Sequence, residues 1–117
     1  MVAAPLAECS FYIPIRRDAE ISDGKPHSPK AWSWLGKALY ARFSAWTLSP
    51  GLYEGVWKSP KTGQPIRDKS YRYVVALNPS RLDELRGLMV EACGVFKQKT
   101  MYLSIAGMVE FIAEVRT

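Results

Sequence analysis

The sequence is poor in the residues that build reactive centres. It holds two cysteines, Cys9 and Cys93, and a single histidine, His27. Two isolated Cys with one His give no metal-ligand spacing and no disulfide framework, so both are expected as buried free thiols with no metal and no cofactor. There is no Gly-rich phosphate loop and no nucleophile with a base at a telling spacing. Long hydrophobic runs are missing too. Charge or Gly interrupts every apolar stretch well before the roughly 18 residues that a membrane helix needs, which argues against any span of a bilayer. Met1 to Ala7 lacks a basic region and is too short for a signal-peptide core, so a cytoplasmic location is the default expectation. Internal repeats and low-complexity segments are absent.

What is present describes one folded unit. With 117 residues, 48% hydrophobic and 23% charged, the chain suits a single domain over 1–117 with a real core. The net charge of +5 could favour a polyanion. Lys and Arg are nevertheless scattered, with no run longer than Arg16-Arg17, so charge alone is a poor argument for nucleic acid.

The centre of the sequence, Gly51 to Leu77, reads as a β-hairpin. Leu52 to Lys58 and Ser70 to Leu77 are rich in aromatic and β-branched residues, and Ser59 to Pro65 between them is full of turn formers. Before it, Glu8 to Ile15 alternates as a strand with Cys9, Phe11, Ile13 and Ile15 on one face and Tyr12 on the other. Arg16 to His27 has no sustained period and is expected as a surface loop, long enough to be functional. Ser28-Pro29 is a helix start, followed by Trp32, Leu35, Leu39 and Phe43 at helical spacing. Trp46-Thr47-Leu48 can add a few extended residues. After the hairpin, Asn78-Pro79 opens a second helix to about Cys93, with Leu82, Leu85, Met89 and Ala92 as its apolar stripe and Gly94 as its expected left-handed end. Thr100 to Ile105 is a strand, and Ala106-Gly107 a tight turn after which Met108 to Ala113 can pair back.

This order predicts an α+β protein of ferredoxin-like βαββαβ type, a four- or five-stranded antiparallel sheet with two helices on one face. The other face then has no cover from within the chain. Tyr12 and Tyr102 point there. Two registers remain open for the hairpin, and the one that sends Val74 and Ala76 to the core gathers Tyr12, Tyr53, Trp57, Tyr71, Tyr73 and Tyr102 on the open face. That register places Arg72 in the core-facing row and Leu77 outside. An aromatic face of this size should not stay in water, so a homodimer stacked on it is expected, or a small molecule bound to it.

Two resemblances bear on the same residues. Lys69-Ser70-Tyr71-Arg72-Tyr73-Val74, with Phe11-Tyr12-Ile13, resembles the strand signatures of RNA recognition motifs, which implies stacking by Tyr12, Tyr71 and Tyr73 and phosphate contact by Lys69. Ser70, Arg72 and Ala76 depart from that signature. Gly55-x-Trp57, Gly63, Ile66 and Arg67-Asp68-x-Ser70 leading into Tyr73-Val74-Val75 resemble a bacterial family of small uncharacterised ferredoxin-like proteins, which implies the fold and no activity. Polar residues that could serve a pocket are His27, Glu54, Arg67 and Asp68, with Arg67 to Asp68 or Glu54 readable as an ordinary surface ion pair. The expected function is a homodimeric interaction or small-ligand-binding domain that uses the open aromatic face. A cofactor-independent enzyme of dimeric α+β barrel type and a single-stranded RNA-binding module are the alternatives.

Overall fold

The computed structural model describes residues 4–114; residues 1–3 and 115–117, and with them part of the stretch read as carrying no leader, lie outside the described residues. The elements are β1 (Ala7–Pro14), α1 (Pro29–Phe43), β2 (Thr47–Leu48), β3 (Tyr53–Lys58), β4 (Pro65–Leu77), α2 (Leu82–Val95), β5 (Thr100–Ile105) and β6 (Met108–Ala113). The protein is α+β. Among the described residues six strands, rather than four or five, form one antiparallel sheet in the order β2-β4-β1-β5-β6, with β3 also paired to β4.

β2 and β3 share one edge of β4, because Thr47 pairs with Val74 and Tyr53 with Ser70 while β1 occupies the opposite edge. The break between them falls at Pro50-Gly51, where Gly51 has φ +81°, a conformation that costs little only without a Cβ. β4 begins at Pro65, five residues earlier than expected. Pro65 closes the ladder opposite Lys58, an end position where its missing amide hydrogen is harmless. At the other edge, Ala106 and Gly107 both have positive φ, as a two-residue hairpin turn requires.

Both helices lie on one side of the sheet. Leu35, Leu39, Leu85, Leu88 and Met89 share one buried cluster with Phe11, Ile13, Val75, Leu77, Met101 and Leu103, each such side chain contributing roughly 2 kcal/mol by leaving water. Cys9 and Cys93 are buried free thiols of this cluster, their pKa values pushed up by burial. Helix boundaries differ from expectation at two ends. A 3-10 turn over Pro79–Arg81, capped by the Asn78 side chain on the Ser80 amide, precedes α2. Gly94 is helical, and the left-handed residue is Lys97, at φ +51°. Ser28 occupies the N-cap of α1 with Pro29 next to it, but makes no side-chain cap bond.

The hairpin register is the one that keeps Leu77 inside. Tyr73, Val75 and Leu77 face the helices, and Tyr73 is buried with its ring stacked on Phe11 at 5.4 Å and an interplanar angle of 4°. Tyr71 turns to the same side and meets Trp32 of α1 edge-on. The six-residue aromatic face set out from the sequence is therefore corrected to four, Tyr12, Tyr53, Trp57 and Tyr102. The reason is physical: a flat Tyr73 on Phe11 fills the core, whereas the other register would have buried the Arg72 guanidinium.

Candidate functional site

Directly opposed residues of an antiparallel pair share a face. Phe11 and Ile13 are in the core, so Tyr12 and Pro14 lie on the open side, and Arg72 and Tyr102, both opposite Tyr12, lie there as well. Tyr53 faces across to Ser70, Gly55 to Asp68, Trp57 to Ile66, and Tyr102 to Phe111. The rings form a continuous edge-to-face row over β3, β1, β5 and β6. Tyr53 to Tyr12 is 5.6 Å between centroids, Tyr12 to Tyr102 is 5.1 Å, and Tyr102 to Phe111 is 5.7 Å.

This row borders a concavity of about 560 Å3. It opens where β1 leaves the sheet at Pro14 while β4 continues beyond it to Pro65, so one edge of the first half of β4 has no strand beside it. The turn before β5 closes that side. Gln98 is buried and donates from Nε2 to the carbonyls of Arg16 and Phe96, both at 2.9 Å, which fastens the 16–18 segment to the start of β5. The Asp18 amide reaches the Lys97 carbonyl at 3.0 Å and reinforces it.

Asp68 lies in the floor. A Cβ built on Gly55 would stand 2.9 Å from its Oδ1, so the carboxylate occupies the space that only a glycine leaves free. Burial raises the Asp68 pKa, and the Trp57 indole N–H, as a donor toward the carboxylate, pulls it the other way. Among the described residues no cation forms an ion pair with it. A half-buried carboxylate among aromatic rings with no counter-charge is costly to keep. Lys99 also lines the concavity, with its ammonium 5.9 Å from the centre of the Trp57 ring and paired to Glu20.

The four polar residues singled out in the sequence are divided by the structure. Glu54 and Asp68 line the concavity. Arg67 lies on the opposite face of β4, beside a neighbouring hollow of about 570 Å3 that shares Glu54, Trp57 and Asp68 with the first; no ion pair joins Arg67 to Asp68 or Glu54. His27 lines neither hollow. It is buried against Trp32 and Phe96, and its Nε2 is 2.7 Å from the Pro14 carbonyl, so Nε2–H donates and Nδ1 is left as an unpartnered acceptor. The stacking platform implied by the RNA-recognition resemblance is not assembled either, since of Tyr12, Tyr71 and Tyr73 only Tyr12 is on the open face. Of the residues quoted for the second resemblance, Gly55, Trp57, Asp68 and Ser70 line the concavity and Gly63, Ile66, Arg67 and Tyr73 do not. Gly55, Gln98 and Lys99 were missed as site residues. For Gly55 there was a signal, a lone glycine inside a strand.

Among the described residues no group of three or more metal-ligating side chains converges, and no helix is long and apolar enough to cross a membrane. No family model matches the sequence, and no curated protein is similar to it. Solved structures are. A phage SAM lyase in complex with S-methyl-5'-thioadenosine superposes with a TM-score of 0.70 at 13% identity, over 97% of this chain and 93% of that one. A phage SAM lyase in the apo state gives 0.64 at 12% identity, over 100% and 96%. Likeness at this identity establishes a shared fold.

Proposed function

We propose that the protein is a small-molecule-binding domain whose open sheet face takes an adenosyl sulfur compound, with the sulfonium cation SAM preferred over the neutral thioether S-methyl-5'-thioadenosine. One observation carries this reading: the half-buried, unpaired Asp68 carboxylate set among Tyr12, Tyr53, Trp57 and Tyr102. A carboxylate in partly desolvated surroundings attracts a cation far more strongly than it would in water. Aromatic faces add about 0.5–2 kcal/mol for a cation above them, and the same rings offer a nucleobase a surface to stack on. The nature of the phage neighbours supports the choice of ligand. The fold that goes with this reading is a ferredoxin-like sheet in which the second strand is broken into β2 and β3 and β6 is appended beside β5.

Calorimetric titration of the purified protein with each compound tests it. SAM is expected to bind more tightly than the thioether, and Asp68→Asn to weaken SAM by about tenfold, the equivalent of roughly 1.4 kcal/mol. Absence of heat for both ligands in the wild type would defeat the reading. Chromatography of the same mixtures for newly formed S-methyl-5'-thioadenosine extends the test from binding to cleavage.

A second reading has its own observation. Val109 and Phe111 of β6, opposite Ser104 and Tyr102 on the open face, are 44% and 67% exposed, an apolar strip continuing the aromatic row that a second copy of the chain would cover. Light scattering at micromolar concentration decides this, and a monomer would end the homodimer reading.

A further inference from the structure

Lys99 holds a peculiar position. Among the described residues it is the one cationic side chain lining the Asp68 concavity, and Asp18, Glu54 and Asp68, which line it too, are all acidic. Its ammonium lies over the Trp57 ring, 5.9 Å from the centroid, and is held by Glu20, whose side chain is 19% exposed against 30% for Lys99. Glu20 lines the adjoining hollow rather than the concavity itself. It is fixed there by Ser59, which donates to its second oxygen at 3.5 Å. Hydrogen bonding from Lys99 holds the Glu20 carboxyl below its usual range, so the pair is intact at neutral pH.

An anion entering this concavity meets three carboxylates and one ammonium. Without Lys99 it would be repelled, since repulsion between like charges in a partly dry site outweighs weaker contacts. With Lys99 it can exchange for Glu20: one ion pair breaks and another forms. Glu20, left behind in a hollow also lined by Arg16, Arg17 and Lys69, returns to water and to those charges.

Building on the proposed adenosyl site, we infer that Lys99 is the residue that reads a carboxylate on the ligand, and that Glu20 competes with that carboxylate for it. The ligand class is thereby narrowed to molecules that carry a cation for Asp68 and a carboxylate for Lys99, as an adenosyl amino acid does and a bare thioether nucleoside does not.

The test compares SAM with its decarboxylated analogue, which keeps the sulfonium, the adenosine and the amine. In the wild type SAM is expected to bind about tenfold more tightly, the size of one charge-assisted hydrogen bond. In Lys99→Met that preference should collapse to about one, whatever the change does to both affinities in common. In Glu20→Gln it should grow, because the competitor has gone. Equal affinities for the two ligands in the wild type, or a preference that survives Lys99→Met, overturns the inference while the adenosyl site stands. A preference that falls in both variants also overturns it, since the pair would then be a fastening of the loop and no more. If neither compound binds the wild type, the adenosyl site itself fails.

Discussion

Tyr12 and Tyr73 sit on adjacent strands of one sheet and have opposite fates. Tyr73 lies flat on Phe11 beneath Trp46, buried, with its phenol pKa raised to about 12 by the loss of solvent. Tyr12 lies on the other side among Tyr53 and Tyr102, bordering a hollow with a carboxylate in its floor. The two faces use the same residue type for different ends. On the helix side aromatic area is spent on cohesion, whereas the open side places it around an unbalanced charge that contributes nothing to folding.

The contrast is broken most severely from the core. Phe11→Ala removes the partner of Tyr73 and leaves a large void, so a loss of about 3–5 kcal/mol in urea unfolding is expected. Tyr12→Ala on the open face should cost under about 2 kcal/mol and should instead weaken ligand binding. Comparable losses of stability from the two would show that the faces are not specialised.

Gly55→Ala acts on the floor alone. Its new Cβ would displace the Asp68 carboxylate, so ligand affinity is expected to fall by about tenfold, or about 1.4 kcal/mol, with little change in the unfolding midpoint. Asp68→Asn sharpens the comparison further. Because burial raises the folded pKa of Asp68, the native state binds the proton more readily than the unfolded chain, and stability is lost as pH rises through that interval. Removing the charge should therefore leave the protein at least as stable at pH 7 while SAM binding drops. Thermal melts beside calorimetry read both effects.

The smallest expected effect is on the side of the helices. Burial lowers the pKa of His27, against the bond to the Pro14 carbonyl, which raises it. The unfolded chain then takes up a proton near the ordinary value of about 6.5 and the folded chain only below it. Stability from this group is complete above that pH and declines as the pH falls toward the folded value. A His27→Gln variant should show a flatter dependence of Tm on pH between about 7 and 5, and an unchanged slope would contradict the buried neutral ring.

Much of this architecture was legible in the sequence. Alternation in Glu8 to Ile15 and in Thr100 to Ile105 marked the central strand of the sheet and one of its neighbours, and the spacing of Leu35, Leu39, Leu85 and Met89 marked the helix faces. The register of β4 was harder, since both of its rows are apolar and period alone cannot choose between them. Arg72 and Leu77 already argued for the correct row, because burying a guanidinium costs more than burying any tyrosine saves. Asp68 was within reach as well: neighbours in a strand point to opposite faces, so Arg67 could not be its partner across a short surface pair. The concavity itself was not legible. It depends on β1 ending at Pro14 while β4 runs on, a mismatch of strand lengths between segments more than 50 residues apart in the chain.

The most direct measurement is the titration of the Asp68 side-chain carboxyl by carbon-13 NMR, with and without SAM. In the free protein its pKa should lie above the ordinary aspartate value, and bound SAM should bring it down as the sulfonium supplies the missing counter-charge. A pKa that does not move on saturation with SAM would mean that Asp68 does not meet the cation.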